Sequence, residues 1–174
     1  PGAKVAADVT TNGKIGIIGT EATVGSEIYS QYIKMLKPEA KVLGKACPLF
    51  VPLVEEGLLD DPVTDEIAMR YLTGLMDSGI DTLILGCTHY PLLRHMVGDI
   101  MGDAVTLVNP AYETAVELRA LLQREGIAND GENKNFENPY EFFVSDAAEK
   151  FKTFANSILP CDVTSIKQIN IEEY

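Results

Sequence analysis

Residues 81–101 read DTLILGCTHYPLLRHMVGDIM, and two different periods meet inside them. Leu83, Ile84 and Leu85 form a short, continuous apolar run of strand character, while Leu92, Leu93, Met96, Val97, Ile100 and Met101 recur at the spacing of one helix face. A buried strand feeding an amphipathic helix is the repeating unit of a parallel sheet. Between the two elements stand Cys87, Thr88, His89, Tyr90 and Pro91. A thiol, a hydroxyl and an imidazole therefore follow one another at the carboxyl end of the strand, which is where open parallel sheets bind their ligands. Pro91 and the stripe after it predict a helix start whose free backbone N–H groups and partial positive charge face the same spot.

The same unit recurs on either side. Lys14–Ile18 precedes a helical period over Val24–Leu36, and Val42–Ala46 precedes a proline-interrupted stretch. Val105–Val108 is followed by Ala111–Glu125, and Glu141–Val144 by Ala147–Ile158. Strands alternating with helices imply right-handed crossovers, hence an α/β fold built on a mostly parallel sheet. The solid apolar runs, such as Ile15, Ile17 and Ile18, suit a sheet covered on both faces in a three-layer sandwich. A second stripe, Ile67, Ala68, Tyr71, Leu72, Leu75 and Met76, marks a helix that Asp61 and Pro62 are suited to begin. Asn129–Asn138 (NDGENKNFEN) is polar and reads as an exposed loop.

Composition narrows the function. The 174 residues are 46% hydrophobic and 23% charged, ordinary for a packed globular chain. With 26 acidic against 14 basic residues the net charge is −12, and no basic cluster occurs, so nucleic acid and anionic membrane surfaces are not expected partners. No apolar run is long enough to span a bilayer and no leader pattern stands at Pro1, so a cytoplasmic location is expected. Cys47, Cys87 and Cys161 are odd in number and far apart, which predicts reduced thiols.

Several chemistries are disfavoured by what the chain lacks. His89 and His95 are its only histidines and no C-x-x-C occurs, so no metal is expected. There is no P-loop, and the glycines of IGIIGTEATVG at 15–25 lack the dinucleotide order. A thiolate acting as base or as nucleophile remains, with His89 as its proton-handling partner.

LILGCTHYPLL at 83–93 resembles the second catalytic motif of the glutamate racemases, the cofactor-independent Asp/Glu racemase family. IGIIGTEATVGSEIY at 15–29, ACPLFVPLVEEG at 46–57 and VNPAYETA at 108–115 agree with that family in order and spacing. The resemblance implies inversion of glutamate at Cα by two cysteines on opposite faces of the substrate, without pyridoxal phosphate, other cofactor or metal. It places Cys87 as the second of these cysteines and His89 as the group assisting its deprotonation. Thr88 with His89 would bind the substrate, Glu55 would lie near the thiol, and Thr20 and Thr23 would face the cleft. Read from residues alone, Glu55 and Glu56 would be a solvated turn, and Thr20 and Thr23 would cap a helix.

The family pattern also contains an Asp-Ser motif after a first strand and a first catalytic cysteine in a Cys-Asn-Thr context, and neither occurs in these residues. Cys47, between Ala46 and Pro48, and Cys161, after Pro160, stand in other contexts and are read as structural. The expectation is that residues 1–106 form the second lobe of a racemase and residues 107–174 the carboxyl-terminal part of the first. The amino-terminal half of that first lobe would be the missing partner, and the chain alone would be inactive. A sheet edge left unpaired would promote association, with a homodimer as one outcome. The alternatives are an aspartate or other amino-acid racemase, and a non-catalytic α/β module.

Overall fold

The structure, a computed structural model, describes residues 1–129 and 140–173. Apart from Asn129, which is exposed, the loop read at 129–138 lies outside the described residues. The chain forms two compact units, Pro1–Ala128 and Asn129–Tyr174. The boundary expected at 106/107, between the lobes of a whole racemase, falls inside the first of these units.

In the first unit the order is α1 (Gly2–Val9), β1 (Lys14–Gly19), α2 (Glu21–Gly25), α3 (Ile28–Leu36), β2 (Lys41–Ala46), α4 (Phe50–Glu55) and α5 (Pro62–Asp77). Then come β3 (Thr82–Gly86), a 3₁₀ turn (Tyr90–Leu93), α6 (Arg94–Met101), β4 (Thr106–Val108) and α7 (Pro110–Arg124). The strands lie in the order β2-β1-β3-β4, every pair parallel. This is the α/β fold that the alternating periods imply.

The sheet is covered on both faces because its central strands are apolar at odd and even positions alike. Ile15, Ile17 and Ile84 join Ala3 and Ala6 of α1, Ile33 of α3 and Val108 in one buried cluster. On the other face the bare Gly16 leaves room for Ile80, Leu83 and Leu75 of α5, whose methyl groups approach where a Cβ would sit. All five residues of β3 are buried. Burial of a full aliphatic side chain contributes roughly 1.5–3 kcal/mol, so this double layer dominates the unit's stability.

The amino edge of the sheet is closed by Asp81. Its carboxylate accepts from the hydroxyls of Thr10 at 2.6 Å and Thr82 at 2.9 Å, and from the backbone N–H groups of Thr11 and Asn12 at 2.7 Å each. The α1–β1 turn is thereby fastened to the start of β3.

Helix boundaries show where sequence period and local geometry differ. The period over Val24–Leu36 is interrupted because Glu27 adopts a left-handed φ of 54°, so α2 ends and α3 starts afresh at Ile28. Asp61 does begin α5, its side chain accepting from the N–H of Val63 at 2.8 Å with Pro62 in the first turn. Helix α1 covers residues for which no element was expected, and it buries Gly2, Ala3, Ala6 and Ala7.

The second unit contains β5 (Phe142–Val144), α8 (Ala148–Ile158), β6 (Ile166–Gln168) and a 3₁₀ turn at Ile171–Glu173. The two strands pair in parallel with Phe142 opposite Ile166. Strand β6 is short and only its first residue is even partly buried, so it leaves little periodic signal. No helix among the described residues is long and apolar enough to cross a membrane.

Candidate active site

Three parallel strands end together. Gly19 is in register with Ala46 on one side and Gly86 on the other, so the residues following β1, β2 and β3 share one rim of the sheet. Cys47 is tied to that rim by its N–H, which donates to the Gly19 carbonyl at 2.9 Å.

The glycines at the rim are steric requirements. A Cβ on Gly86 would lie 2.8 Å from the Ile18 carbonyl oxygen, and one on Gly19 would lie 3.0 Å from Cγ2 of Thr23. Their bareness lets Thr23 fold over the strand ends, within 3.6 Å of the position a Gly86 Cβ would take. Thr20 caps α2 by accepting from the Thr23 N–H at 3.2 Å, and the two hydroxyls are 3.0 Å apart. The capping role read from the residues is thus observed for Thr20, and Thr23 packs over the glycines of the rim.

Cys87 follows β3 directly and is partly exposed, Thr88 is exposed, and His89 is partly buried. The imidazole of His89 is held from two sides. Its Nδ1 lies 3.2 Å from the Thr88 hydroxyl, and its Nε2 lies 3.5 Å from Oε1 of Glu55. Glu55 is the last residue of α4, and α4 is positioned by Phe50, which is fully buried and meets the Tyr90 ring edge-on at a centroid separation of 5.2 Å. Tyr90 in turn donates a 2.8 Å hydrogen bond to the Cys47 carbonyl. An acid 34 residues from His89 in the chain is therefore brought to it by an aromatic contact within the core.

The expected helix start at Pro91 is modified. Residues 90–93 form a 3₁₀ turn, and the regular helix begins only at Arg94. The Leu92 N–H donates to the His89 carbonyl at 3.0 Å, so that donor is used within the turn rather than directed at Cys87. The thiol's setting is accordingly defined by side chains more than by a helix end.

Cys47 has no place in this chemistry. It is fully buried, and burial, opposed in part by Lys45, pushes its pKa up to about 12. His95 is exposed on α6. Cys161 belongs to the second unit. Among the described residues no group of His, Cys, Asp and Glu is arranged to hold a metal ion.

Beside Cys87 opens a cleft of about 540 Å³ whose lining includes Tyr29, Gly86, Cys87, Thr88, Pro110 and Thr114. The sequence reading overlooked Tyr29 and treated Tyr90 only as part of a motif. Tyr90's place between a catalytic-type triplet and a proline was a signal, but Tyr29 had none, since its nearness to Cys87 is made by the fold.

The sequence model of the Asp/Glu/Hydantoin racemase family matches residues 2–118. The chain is 43% identical over 173 residues to a glutamate racemase of Geobacter metallireducens, covering 99% of this chain and 63% of that protein. It is 43% identical over 171 residues to one of Neisseria meningitidis, covering 98% and 62%. Among solved structures it is similar to glutamate racemase isoform RacE1 from Bacillus anthracis, with a TM-score of 0.89 and 37% identity over 98% of this chain and 62% of that one. It is also similar to the Francisella tularensis glutamate racemase in complex with D-glutamate, with a TM-score of 0.85 and 29% identity over 99% and 62%. The chain thus spans about three fifths of the length of the curated relatives it matches.

Proposed function

The chain belongs to the Asp/Glu/hydantoin racemase family, and from that premise we propose that it serves in a glutamate racemase, interconverting L- and D-glutamate by proton transfer at Cα. The observation that carries this reading is the Cys87-Thr88-His89 triplet at the end of β3, with Glu55 3.5 Å from the imidazole. The named relatives are glutamate racemases, and that supports glutamate as the substrate.

In this reading the Cys87 thiolate takes the Cα proton of L-glutamate and becomes a thiol. A second thiol on the opposite face gives its own proton to the carbanion-like carbon, forming D-glutamate and leaving a thiolate there. The reverse reaction exchanges the roles. His89, oriented by Glu55, moves the proton that readies Cys87, while Thr88, Thr20 and Thr23 hold the substrate's polar groups. A thiolate in a partly desolvated cleft is a stronger base than in water, which the weakly acidic Cα–H requires. The protein's own residues supply this chemistry without a cofactor or metal.

The second thiol is not found beside Cys87 in the first unit, where Cys47 is buried and protonated. We therefore propose that residues 1–174 alone do not racemise glutamate. Residues 1–106 would be the second lobe and residues 107–174 a return to the first, completed by an amino-terminal half that carries the opposing cysteine. The D-glutamate formed in the cytoplasm would supply peptidoglycan synthesis.

Deuterium incorporation tests the mechanism in the full-length enzyme. Starting from one enantiomer in deuterated water, the product should acquire solvent deuterium while residual substrate stays protiated in the first turnovers. Cys87→Ser should lower racemisation by roughly 10³-fold or more, about 1.4 kcal/mol of barrier for each tenfold. His89→Asn should cost roughly 10²-fold to 10⁴-fold. Near-normal racemisation by Cys87→Ser, or equal early labelling of substrate and product, would overturn the reading.

A further inference from the structure

The cleft beside Cys87 contains a polar group that the proposed proton transfers leave unused. Tyr29, the second residue of α3, is half-buried, with its side chain packed against the core cluster that includes Ala3, Ile15 and Ile17. It also lines the cleft together with Cys87 and Thr88. Its hydroxyl makes no hydrogen bond to another described residue. Phenols this buried ordinarily find a partner. Among the described residues no sealed side-chain oxygen is left without one, so the Tyr29 hydroxyl is not closed off, and the side chain that carries it lines the cleft.

Of the other hydroxyls of the cleft wall, that of Thr88 is shared with Nδ1 of His89 at 3.2 Å, and that of Thr114 donates to the Pro110 carbonyl at 2.7 Å. Most of the remaining wall is apolar, from Leu85, Pro110, Ala111, Ala115 and Leu118. An anion entering such a cleft in a chain of net charge −12 needs a designated donor.

We infer that Tyr29 is a substrate-binding residue, its phenol donating a hydrogen bond to a carboxylate held in the cleft beside Cys87. Burial raises the Tyr29 pKa, so the group stays a neutral donor across the working range. A hydrogen bond to an anion in a partly desolvated site is among the stronger kinds. This assignment rests on the racemase reading for the identity of the substrate, but the donor itself can be tested without turnover.

The test measures alkylation of Cys87 in the 174-residue chain by iodoacetate and 3-iodopropionate, each against its amide, with site-resolved mass spectrometry. Tyr29→Phe changes no charge, so any general repulsion of the acids cancels between the two proteins. The acid-to-amide rate ratio should fall about tenfold for at least one acid in Tyr29→Phe, while the amide rates stay unchanged. Unchanged ratios for both acids would overturn the assignment. In the unmodified chain, which removes any question of misfolding, titration with D-glutamate should move the Tyr29 ring resonances together with the Cys87 amide. A moving Cys87 amide with a still Tyr29 ring would also count against it. In the full-length enzyme, Tyr29→Phe should raise KM for glutamate about tenfold with kcat little altered. Failure of the racemase reading is separately visible, as retained racemisation by Cys87→Ser.

Discussion

The phenol of Tyr90 donates a 2.8 Å hydrogen bond to the backbone carbonyl of Cys47, joining residues 43 apart in sequence. One end of the bond belongs to the 3₁₀ turn that directly follows Cys87, Thr88 and His89, and the other to the segment that leads into α4 and Glu55. Tyr90 also meets Phe50 edge-on, and Phe50 meets Tyr71 in the same way at 5.4 Å. The relative placement of the site's two halves therefore depends on an aromatic cluster outside the cleft.

Tyr90→Phe keeps the ring packing and removes the bond, while the Cys47 carbonyl still accepts from the Phe50 N–H at 3.1 Å. We expect a loss of about 0.5–1.5 kcal/mol in urea unfolding at neutral pH. Burial, reinforced by the charges that Cys47, Cys87 and Tyr71 would carry, holds the Tyr90 pKa above its ordinary 10.0. A folded pKa above the unfolded one gives stability that is complete below pH 10.0 and is lost as pH rises toward the folded value. The alkaline fall in stability should accordingly be shallower in Tyr90→Phe.

The three thiols should differ in alkylation. In the folded chain at neutral pH Cys87 should be labelled first, because it is partly exposed beside His89. Cys47 should resist labelling until the chain unfolds, since it is buried with a pKa near 12. Peptide mass spectrometry over a time course reads the order, and early labelling of Cys47 or Cys161 would count against the site.

Gly86→Ala places a methyl group 2.8 Å from the Ile18 carbonyl oxygen, which belongs to a central strand and cannot move aside. A destabilisation of about 1–3 kcal/mol is expected, with a change in the alkylation rate of the adjoining Cys87. Gly25→Ala, where the new atom meets nothing within 4 Å, is the control and should leave both readouts nearly unchanged. Equal stabilities for the two variants would contradict the close approach of β1 and β3.

At the opposite edge, burial acts to raise the Asp81 pKa, but hydrogen bonds from Thr10, Asn12, Thr11 and Thr82 outweigh it and hold the carboxyl well below its ordinary 3.8. A lowered folded pKa gives stability that is present above pH 3.8 and is lost as pH falls toward the folded value. Asp81→Asn puts an N–H₂ where N–H donors converge, and about 2 kcal/mol should be lost near neutrality. Its acid unfolding profile should be flatter than that of the unaltered chain, as circular dichroism against pH would record.

Much of the first unit was legible because its signals are local. Leu83–Leu85 and Ile15–Ile18 are buried on both faces of the sheet, so they read as unbroken apolar runs, and the α5 stripe buries Ala68, Leu72 and Leu75 on one side. Helix α1 and strand β6 were missed for a related reason. The first is only 8 residues long and buries small side chains, Gly2, Ala3, Ala6 and Ala7, which are weak markers of a core face, and the second is largely exposed. The break at Glu27 was also hidden, because the apolar spacing continues across a residue whose backbone turns left-handed.

The sequence by itself determined the βα order, the strand that ends in Cys87, the triplet Cys87-Thr88-His89 and the caps at Thr20 and Asp61, since each depends on residues within a few positions of one another. Only the tertiary structure decided that Glu55 stands 3.5 Å from His89, that Tyr29 lines the cleft beside Cys87, and that Cys47 is sealed beneath the rim. Those relations join segments far apart in the chain through strand register and core packing. Periodicity records which face of an element is buried, but not which other element covers it.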